Sequence, residues 1–165
     1  MSEKKKTENV NRKLTTEEII KKVLNGKTIP TGNGEADVDM RKKIISDFYY
    51  EWMLNNPTKK RYNLNLKDDI NIRRVSVIET SFWASKSYLS TLAVLQLDTI
   101  LQLAKKVCVV NTKPHDENQK QFEKLIKMEY ELAGIGKVSL IVGIKRPNRE
   151  KTKDKVQYCI TVIKA

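Results

Sequence analysis

The residue types that most enzymes use for nucleophilic, acid–base or metal chemistry are scarce in this 165-residue sequence. It contains one histidine, His115, and two cysteines, Cys108 and Cys159, which form no Cys-x-x-Cys pair. A structural zinc site needs about four such ligands, and a cysteine nucleophile needs a histidine base. A serine triad would also depend on His115, and no Gly-x-Ser-x-Gly motif is present. The sequence therefore favours a protein with no catalytic centre, no cofactor or metal ion, and no small-molecule substrate.

Positive charge dominates the composition. The chain has 32 basic and 20 acidic residues, which give a net charge of +12. Charge this far from zero opposes compaction unless an anionic partner offsets it. We expect that partner to be nucleic acid or, alternatively, an acidic protein. A third interpretation is a lysine- and asparagine-rich composition that reflects codon usage alone.

Three basic segments are the predicted contact sites for nucleic acid or for a neighbouring subunit. They are the N-terminal tail, a cluster after Pro57, and an arm between the last two predicted strands. Arginine and lysine in such segments neutralise phosphates, and the arginine fork can bind two phosphate oxygens. The predicted contact residues are Lys4, Lys5, Lys6, Lys59, Lys60, Arg61, Lys145, Arg146, Arg149, Lys151, Lys153 and Lys155.

Two helices are predicted near the N-terminus. Thr15 and Glu18 have capping-box spacing, which predicts the start of a short helix. A second helix is predicted over 37–54, with Asp37 or Asp39 as its N-cap. Its apolar stripe, which we assign to the core, consists of Met40, Ile44, Phe48 and Trp52.

The middle of the chain is predicted to hold a short strand over 70–78 and then a long helical segment over 79–107. Asp98 is a candidate cap that would divide this segment in two. We interpret the segment as the core helix, and we expect its small hydroxyl residues to allow close packing. The apolar residues that carry its periodicity include Phe82, Leu89, Leu92, Leu97, Ile100 and Leu103.

Beyond the middle of the chain, the apolar period changes to two. Strands are predicted over 126–132, 138–144 and 156–162, where apolar and polar residues alternate. The predicted fold class is therefore α+β, with N-terminal helices packed on a C-terminal three-stranded antiparallel meander that carries a long basic hairpin arm.

The predicted domain organisation is a flexible basic tail over 1–14 and a single α+β domain over 15–165. Within that domain we expect a helical part over 15–107, a connector over 108–123 and the meander over 124–165. The tail has no apolar core of a secretory signal, and no apolar run reaches the ~18 residues that a membrane span needs. We therefore expect an intracellular protein, or one that leaves the cell inside or upon something else, and no membrane partner. Reduced thiols are the simplest interpretation of the cysteines, and a disulfide is the alternative.

Residues 136–146 and 155–158, in the last two predicted strands, resemble in outline the RelE-type and barnase-like ribonuclease fold. That resemblance implies an RNA-cleaving activity. Its candidates for phosphate binding and proton transfer would be Lys145, Arg146, Tyr158 and His115.

The composition as a whole resembles that of small lysine- and asparagine-rich proteins of tailed phages and mobile elements of gut bacteria, some of which are virion components. This resemblance implies a homo-oligomer or a subunit of a larger assembly, located in the cytoplasm of a bacterial host or in a virion. The predicted function is accordingly a non-enzymatic structural or assembly protein whose tail and arm contact neighbouring subunits or nucleic acid. A RelE-like ribonuclease and a DNA-binding accessory protein are the alternatives.

Overall fold

Helices pack against one mixed β-sheet in this protein. A computed structural model describes residues 13–111, 122–145 and 158–165. For residues 145 and 158–164 it describes the backbone alone. The described helices are α1 (Thr16–Leu24), α2 (Glu35–Asn55), α3 (Arg74–Ala84), α4 (Tyr88–Val94) and α5 (Leu97–Leu103). The strands are β1 (Lys60–Asn63), β2 (Asp68–Ile72), β3 (Lys105–Val110), β4 (Phe122–Leu132), β5 (Gly136–Lys145) and β6 (Tyr158–Lys164). The predicted α+β class is confirmed.

The sheet has the strand order β1-β2-β6-β5-β4-β3. Strands β4, β5 and β6 are antiparallel neighbours, which confirms the predicted meander. The sheet is nevertheless larger than predicted, because β3 pairs with β4 and the β1–β2 hairpin adds to β6. The β2–β6 pair is parallel, with Ile70 opposite Tyr158. The connection between them therefore has to pass over the sheet, and helices α3 to α5 belong to this crossover.

The predicted helical part over 15–107 is wrong in two places, since β1 and the start of β3 lie within it. Only β2 belongs to the strand predicted over 70–78, because the chain turns helical at Arg74. The long helix over 79–107 is divided at residues 85–87 and again at 95–96. β-Branched residues in 105–110 form a strand rather than a helix end, because β4 supplies the hydrogen-bonding partner.

Local capping signals had mixed outcomes. The capping box is confirmed: the Glu18 amide donates to Thr15 Oγ1 at 3.2 Å, and the Thr15 amide donates to Glu18 Oε1 at 3.3 Å. The predicted cap of α2 at Asp37 or Asp39 is wrong, because the helix begins earlier, after Gly34. Asp37 instead lies in the first turn, where a carboxylate favours the positive end of the helix.

The main core lies between α2, the crossover helices and the inner face of the sheet. Ile44, Phe48 and Trp52 are buried as predicted, whereas Met40 is exposed. Buried hydroxyl residues, among them Ser90 and Thr91, confirm that α4 packs closely on its neighbours.

Candidate partner-binding face

Helix α3 presents its large apolar side chains to solvent and buries its small ones. The exposed fractions are 60% for Ile78 and 46% for Phe82, and Val75 is exposed on the same side of the helix. The buried side consists of Ser76, Thr80, Ser81 and Ala84. Because both β6 and α2 pack against α3, small residues are needed on that side. The prediction that Phe82 belongs to the core is therefore wrong, and so is that of Leu89 on α4, which is exposed.

Helix α2 lies antiparallel to α3 and extends the apolar surface. Lys42 Nζ is 5.7 Å from the centroid of the Phe82 ring, and Ser46 Oγ is 3.3 Å from Ser81 Oγ. Towards its C-terminal end, α2 adds exposed Tyr50 and Leu54. We call this surface the α2–α3 face and define it by Ser46, Tyr50, Leu54, Val75, Ile78 and Phe82. Several apolar side chains exposed on two adjacent helices mark a binding site more often than an isolated exposed residue does.

An aromatic–lysine cluster borders one end of the α2–α3 face. The rings of Phe82 and Trp83 meet edge to face, with centroids 5.1 Å apart and planes at 86°. Lys86 Nζ lies 4.3 Å from the Phe82 centroid and 4.4 Å from the Trp83 centroid. Trp83 is 54% exposed, whereas the second tryptophan, Trp52, is fully buried. This end of the face combines aromatic surface with positive charge, a pairing that cation–π attraction stabilises.

A groove of about 600 Å³ lies at the other end, where α2 meets the start of α3. Tyr50, Met53 and Val75 supply apolar walls, while Lys59 and the Arg73–Arg74 pair supply positive charge. Among the described residues that line the groove, none is acidic. The N-cap position of α3 is Arg73, which makes no capping hydrogen bond through its side chain. The amide groups in the first turn of a helix add to the positive potential there.

Two buried hydroxyls lie behind this groove. Tyr49 and Thr80 are fully buried, and neither hydroxyl has a partner at hydrogen-bond distance in the described part of the chain. Burial raises the pKa of Tyr49 well above its ordinary value, and the nearby Thr80 hydroxyl offsets only part of that shift. Tyr49 is therefore neutral at physiological pH.

Buried Arg41 anchors α2 at the aromatic end of the face. Its Nε donates to the Ser85 carbonyl at 2.7 Å, and Nη1 donates to the carbonyls of Pro30 and Gly32 at 2.9 and 2.7 Å. Since Ser85 is the C-cap of α3, this guanidinium holds the end of α3 against α2 and the loop before it. Arg41 Nη2 is buried without a hydrogen-bond partner among the described residues.

A second polar network, centred on Asp98 in the first turn of α5, fixes the other half of α2. Asp98 Oδ1 accepts from Trp52 Nε1 at 2.9 Å and from Arg61 Nε at 2.8 Å, and Oδ2 accepts from Thr16 Oγ1 at 2.5 Å. Arg61 also donates to Asn56 Oδ1 and lies 5.3 Å from the Trp52 ring centroid. Burial by itself raises the pKa of Asp98, but the three hydrogen bonds and the Arg61 charge outweigh it. The pKa is therefore below its ordinary value.

The three basic residues that follow Pro57 have different surroundings in the structure. Lys59 is exposed and lies at the rim of the groove. Lys60 Nζ is 3.5 Å from Asp69 Oδ2, and Arg61 is held by Asp98 inside its own chain. Of the three, only Lys59 is therefore placed beside the candidate site.

The remaining predicted contact residues are not brought to this face. Lys145 ends β5, where its backbone pairs with Phe122. Tyr158, a candidate from the ribonuclease resemblance, has its backbone opposite Ile144 and thus next to the Lys145 position. The predicted residues that lie outside the described parts of the chain are Lys4, Lys5, Lys6, His115, Arg146, Arg149, Lys151, Lys153 and Lys155.

Sequence reasoning missed most of the α2–α3 face. Tyr50, Ile78 and Trp83 were not singled out, and Arg73 and Arg74 were assigned to a strand. One signal was available, since residues 75, 78 and 82 share one side of a helix while Ser76, Thr80 and Ser81 share the other. The period alone does not say which of two such sides is buried.

Other classes of site find little support in the described residues. In those parts of the chain, no group of three or more histidine, cysteine or acidic side chains is placed to hold a metal ion. Among the helices described above, none combines the length and the hydropathy that crossing a bilayer requires. Cys108 is a free, exposed thiol, so the alternative of a disulfide at this residue is wrong.

Comparison of the chain with protein-family models, with curated proteins and with solved structures found no match.

Proposed function

We propose that this protein is a non-enzymatic assembly subunit that holds an acidic, apolar segment of a neighbouring protein on its α2–α3 face. The observation that carries the proposal is the reversed burial of α3, with Ile78 and Phe82 in solvent and Ser76 and Thr80 inside. Because these side chains are about half exposed, burial of their exposed parts would supply about 1–1.5 kcal/mol per residue. A partner that covers them recovers this free energy.

The layout of the face matches the general anatomy of protein interfaces. Its centre, around Val75 and Ile78, is apolar, whereas Lys59 and Arg74 at one end and Lys86 at the other are basic. Interfaces typically have an apolar, aromatic centre and a polar rim. An acidic partner would be steered to this rim by charge complementarity.

The face also has two acidic residues, which could offset part of its positive charge. Asp47 on α2 is neutralised by Lys43, whose Nζ lies 2.6 Å from Asp47 Oδ2. Glu79 on α3 is half-buried and engaged within the chain. The surplus of positive charge on the face therefore persists. Two antiparallel helices with a groove between them suit an amphipathic helix as the third member.

The compositional resemblance to phage and mobile-element proteins suggests the setting, which is a virion or its assembly in a bacterial cytoplasm. In that setting the neighbour would be another protein subunit. The basic tail and the basic arm remain predicted secondary contacts.

Binding of single-stranded nucleic acid is the second candidate function. Trp83 is exposed, and Lys86 lies on its ring, so that a base could stack where a phosphate finds a cation. The aliphatic residues in the middle of the face favour a protein partner, because they offer nothing to a nucleic acid backbone.

The test uses Trp83 as a built-in reporter, because Trp52 is buried. The probe is a synthetic helical peptide with leucines at every third or fourth position and glutamates between them. The control peptide has lysine in place of each glutamate. We expect the acidic peptide to shift the fluorescence of Trp83 and to protect it from acrylamide, and the basic peptide to do neither.

Variants locate the binding site. Ile78→Ser removes exposed apolar surface from the face, and Leu64→Ser removes a similar amount (Leu64 is 54% exposed) from the β1–β2 turn. Burial of the exposed part of Ile78 is worth about 1–1.5 kcal/mol, so its loss should weaken binding about tenfold. Leu64→Ser should bind like the wild type. Equal affinity of all three proteins would refute the proposal. The proposal would also be refuted if the acidic peptide had no effect while oligo(dT) protected Trp83 in a strongly salt-dependent way. That result would favour the nucleic-acid candidate.

A further inference from the structure

The groove where α2 meets the start of α3 carries positive charge. Lys59 and Arg74 are exposed at this groove. Within the described parts of the chain, no acidic side chain lies at ion-pair distance from either of them. By contrast, the nearby cations Lys60 and Arg61 both form ion pairs with their own chain. The groove is therefore suited to an anionic group from another molecule.

The backbone fixes the position of Lys59 at the rim of the groove. Its φ angle is 55°, in the left-handed region that a lysine adopts rarely. Two hydrogen bonds hold this conformation: the Lys59 amide donates to the Asn56 carbonyl at 2.8 Å, and the Ile72 amide donates to the Lys59 carbonyl at 2.7 Å. This cation is therefore attached to a backbone that is hydrogen-bonded on both sides.

Helix α3 makes the two ends of the α2–α3 face electrostatically unequal. It has 11 residues, begins at the groove and ends just after Trp83. The positive end of its dipole adds to the charge of Lys59 and Arg74, whereas the negative end opposes the charge of Lys86. Lys86 Nζ is also engaged by the rings of Phe82 and Trp83, at 4.3 and 4.4 Å from their centroids. A carboxylate is therefore attracted more strongly to the groove than to the aromatic end.

We propose that the groove holds the carboxyl terminus of the neighbouring protein, with its terminal carboxylate beside Lys59 and Arg74. This inference rests on the proposed function and adds a direction, in which the partner helix runs parallel to α2 and antiparallel to α3. The carboxyl end of a helix carries the negative pole of its dipole, whereas an amino end would bring positive charge to these cations. A terminal residue also has its carboxylate and its apolar side chain on one Cα atom. The side chain can then pack on Tyr50, Met53 and Val75 in the same groove.

Trp83 can report the direction of binding, because it lies at the end of the face away from the groove, about 14 Å along α3 from Arg74. The probe is the acidic peptide cut to 11 residues, the length of α3, and stapled so that it is helical. One version carries a nitroxide on a side chain of its first turn, and another carries it in its last turn. A nitroxide quenches tryptophan fluorescence only at short range. We expect strong quenching of Trp83 by the first-turn label and weak quenching by the last-turn label.

Amidation of the unlabelled peptide's terminal carboxylate tests the ligand group. It should weaken binding to the wild type about fivefold, because a charge beside two cations and a helix N-terminus is lost. In the double variant Lys59→Gln/Arg74→Gln, amidation should weaken binding less than about twofold. The control is Lys67→Gln/Lys105→Gln, which removes two positive charges from exposed residues away from the groove; Lys67 even shares the left-handed conformation, with a φ angle of 56°. This control should respond to amidation like the wild type, and circular dichroism checks that each variant is folded.

The outcomes separate this inference from the proposed function. Equal quenching by the two labels, or stronger quenching by the last-turn label, would overturn the proposed direction while the acidic partner itself still stands. An equal loss on amidation in the wild type and in Lys59→Gln/Arg74→Gln would overturn the carboxylate site in the same way. If none of the acidic peptides binds, the proposed function and this inference are both wrong.

Discussion

Replacement of Asp98 is expected to lower the free energy of unfolding, because this side chain links several elements around the C-terminal half of α2. Its two carboxylate oxygens join four elements, since Thr16 begins α1, Trp52 lies in α2, Arg61 lies in β1 and Asp98 itself is in α5. The substitutions Asp98→Ala and Asp98→Asn separate the loss of all acceptors from the loss of charge alone.

The size of the effect follows from burial. Asp98→Ala leaves the buried Trp52 Nε1 without an acceptor, which costs about 1–3 kcal/mol. The Thr16 hydroxyl bond adds about 1 kcal/mol. The Arg61 side chain is 35% exposed, so solvent compensates for most of its ion pair and the contribution stays below about 1 kcal/mol. The sum is about 2–5 kcal/mol, a large share of the roughly 5–15 kcal/mol by which domains are stable. Asp98→Asn keeps one acceptor oxygen and should cost about half as much.

The stabilisation by Asp98 should decrease at low pH. The pKa of Asp98 is lowered on folding, so the folded state holds the proton less tightly than the unfolded state does. The stabilisation is therefore fully present above the unfolded value near 3.8 and is lost as pH falls through the lower folded pKa. The difference in unfolding free energy between the wild type and Asp98→Asn should shrink below about pH 4.

Urea unfolding at pH 7 and at pH 3 measures both effects. With a slope of about 2 kcal/mol per molar urea, Asp98→Ala should lower the midpoint by about 1–2.5 M at pH 7. Asp47→Asn is the control, because its pair with Lys43 is equally short but more exposed and should be worth less than about 0.5 kcal/mol. If Asp98→Ala costs no more than Asp47→Asn, or if Asp98→Asn costs as much at pH 3 as at pH 7, the reasoning is wrong.

Two further predictions concern the other buried polar groups. Arg41→Met should lower the free energy of unfolding by about 3–5 kcal/mol, because three backbone carbonyls lose their donors. A loss of less than about 1 kcal/mol in thermal unfolding would contradict this. For Tyr49, the raised pKa means that the unfolded state ionises first, so the stability of the wild type should fall as pH rises above about 10. Tyr49→Phe should remove that component of the alkaline loss in urea unfolding at pH 9 and 10.5, and an unchanged slope would argue against burial of the phenol.

The elements that could be predicted are those whose signals are local. The capping box of Thr15 and Glu18 needs only four consecutive residues, and the structure contains it. Alternation along β4 and β5 is equally local and identified the meander. Strands β1 and β3 were missed because each is short and polar or exposed. Such a segment becomes a strand only when a distant partner supplies its hydrogen bonds.

The candidate site could not be predicted from the sequence, for a related reason. The residues of α3 have two sides of different character, and the usual rule assigns the apolar side to the core. The packing of β6 and of α2 against α3 reverses that assignment, because the small residues Ser76, Thr80 and Ser81 lie on the packed side. The charge of Arg61 was likewise read as available for a partner, although Asp98, distant in sequence, binds it.

The α+β class, the strands of the meander and the surplus of positive charge can be predicted from the sequence, because composition and short-range periodicity act within a few residues. Only the packed structure shows which side of α3 meets solvent, which cations are neutralised within the chain, and which of the described strands form the edges of the sheet. Each of these depends on contacts between segments far apart in the chain, and only packing brings such segments together.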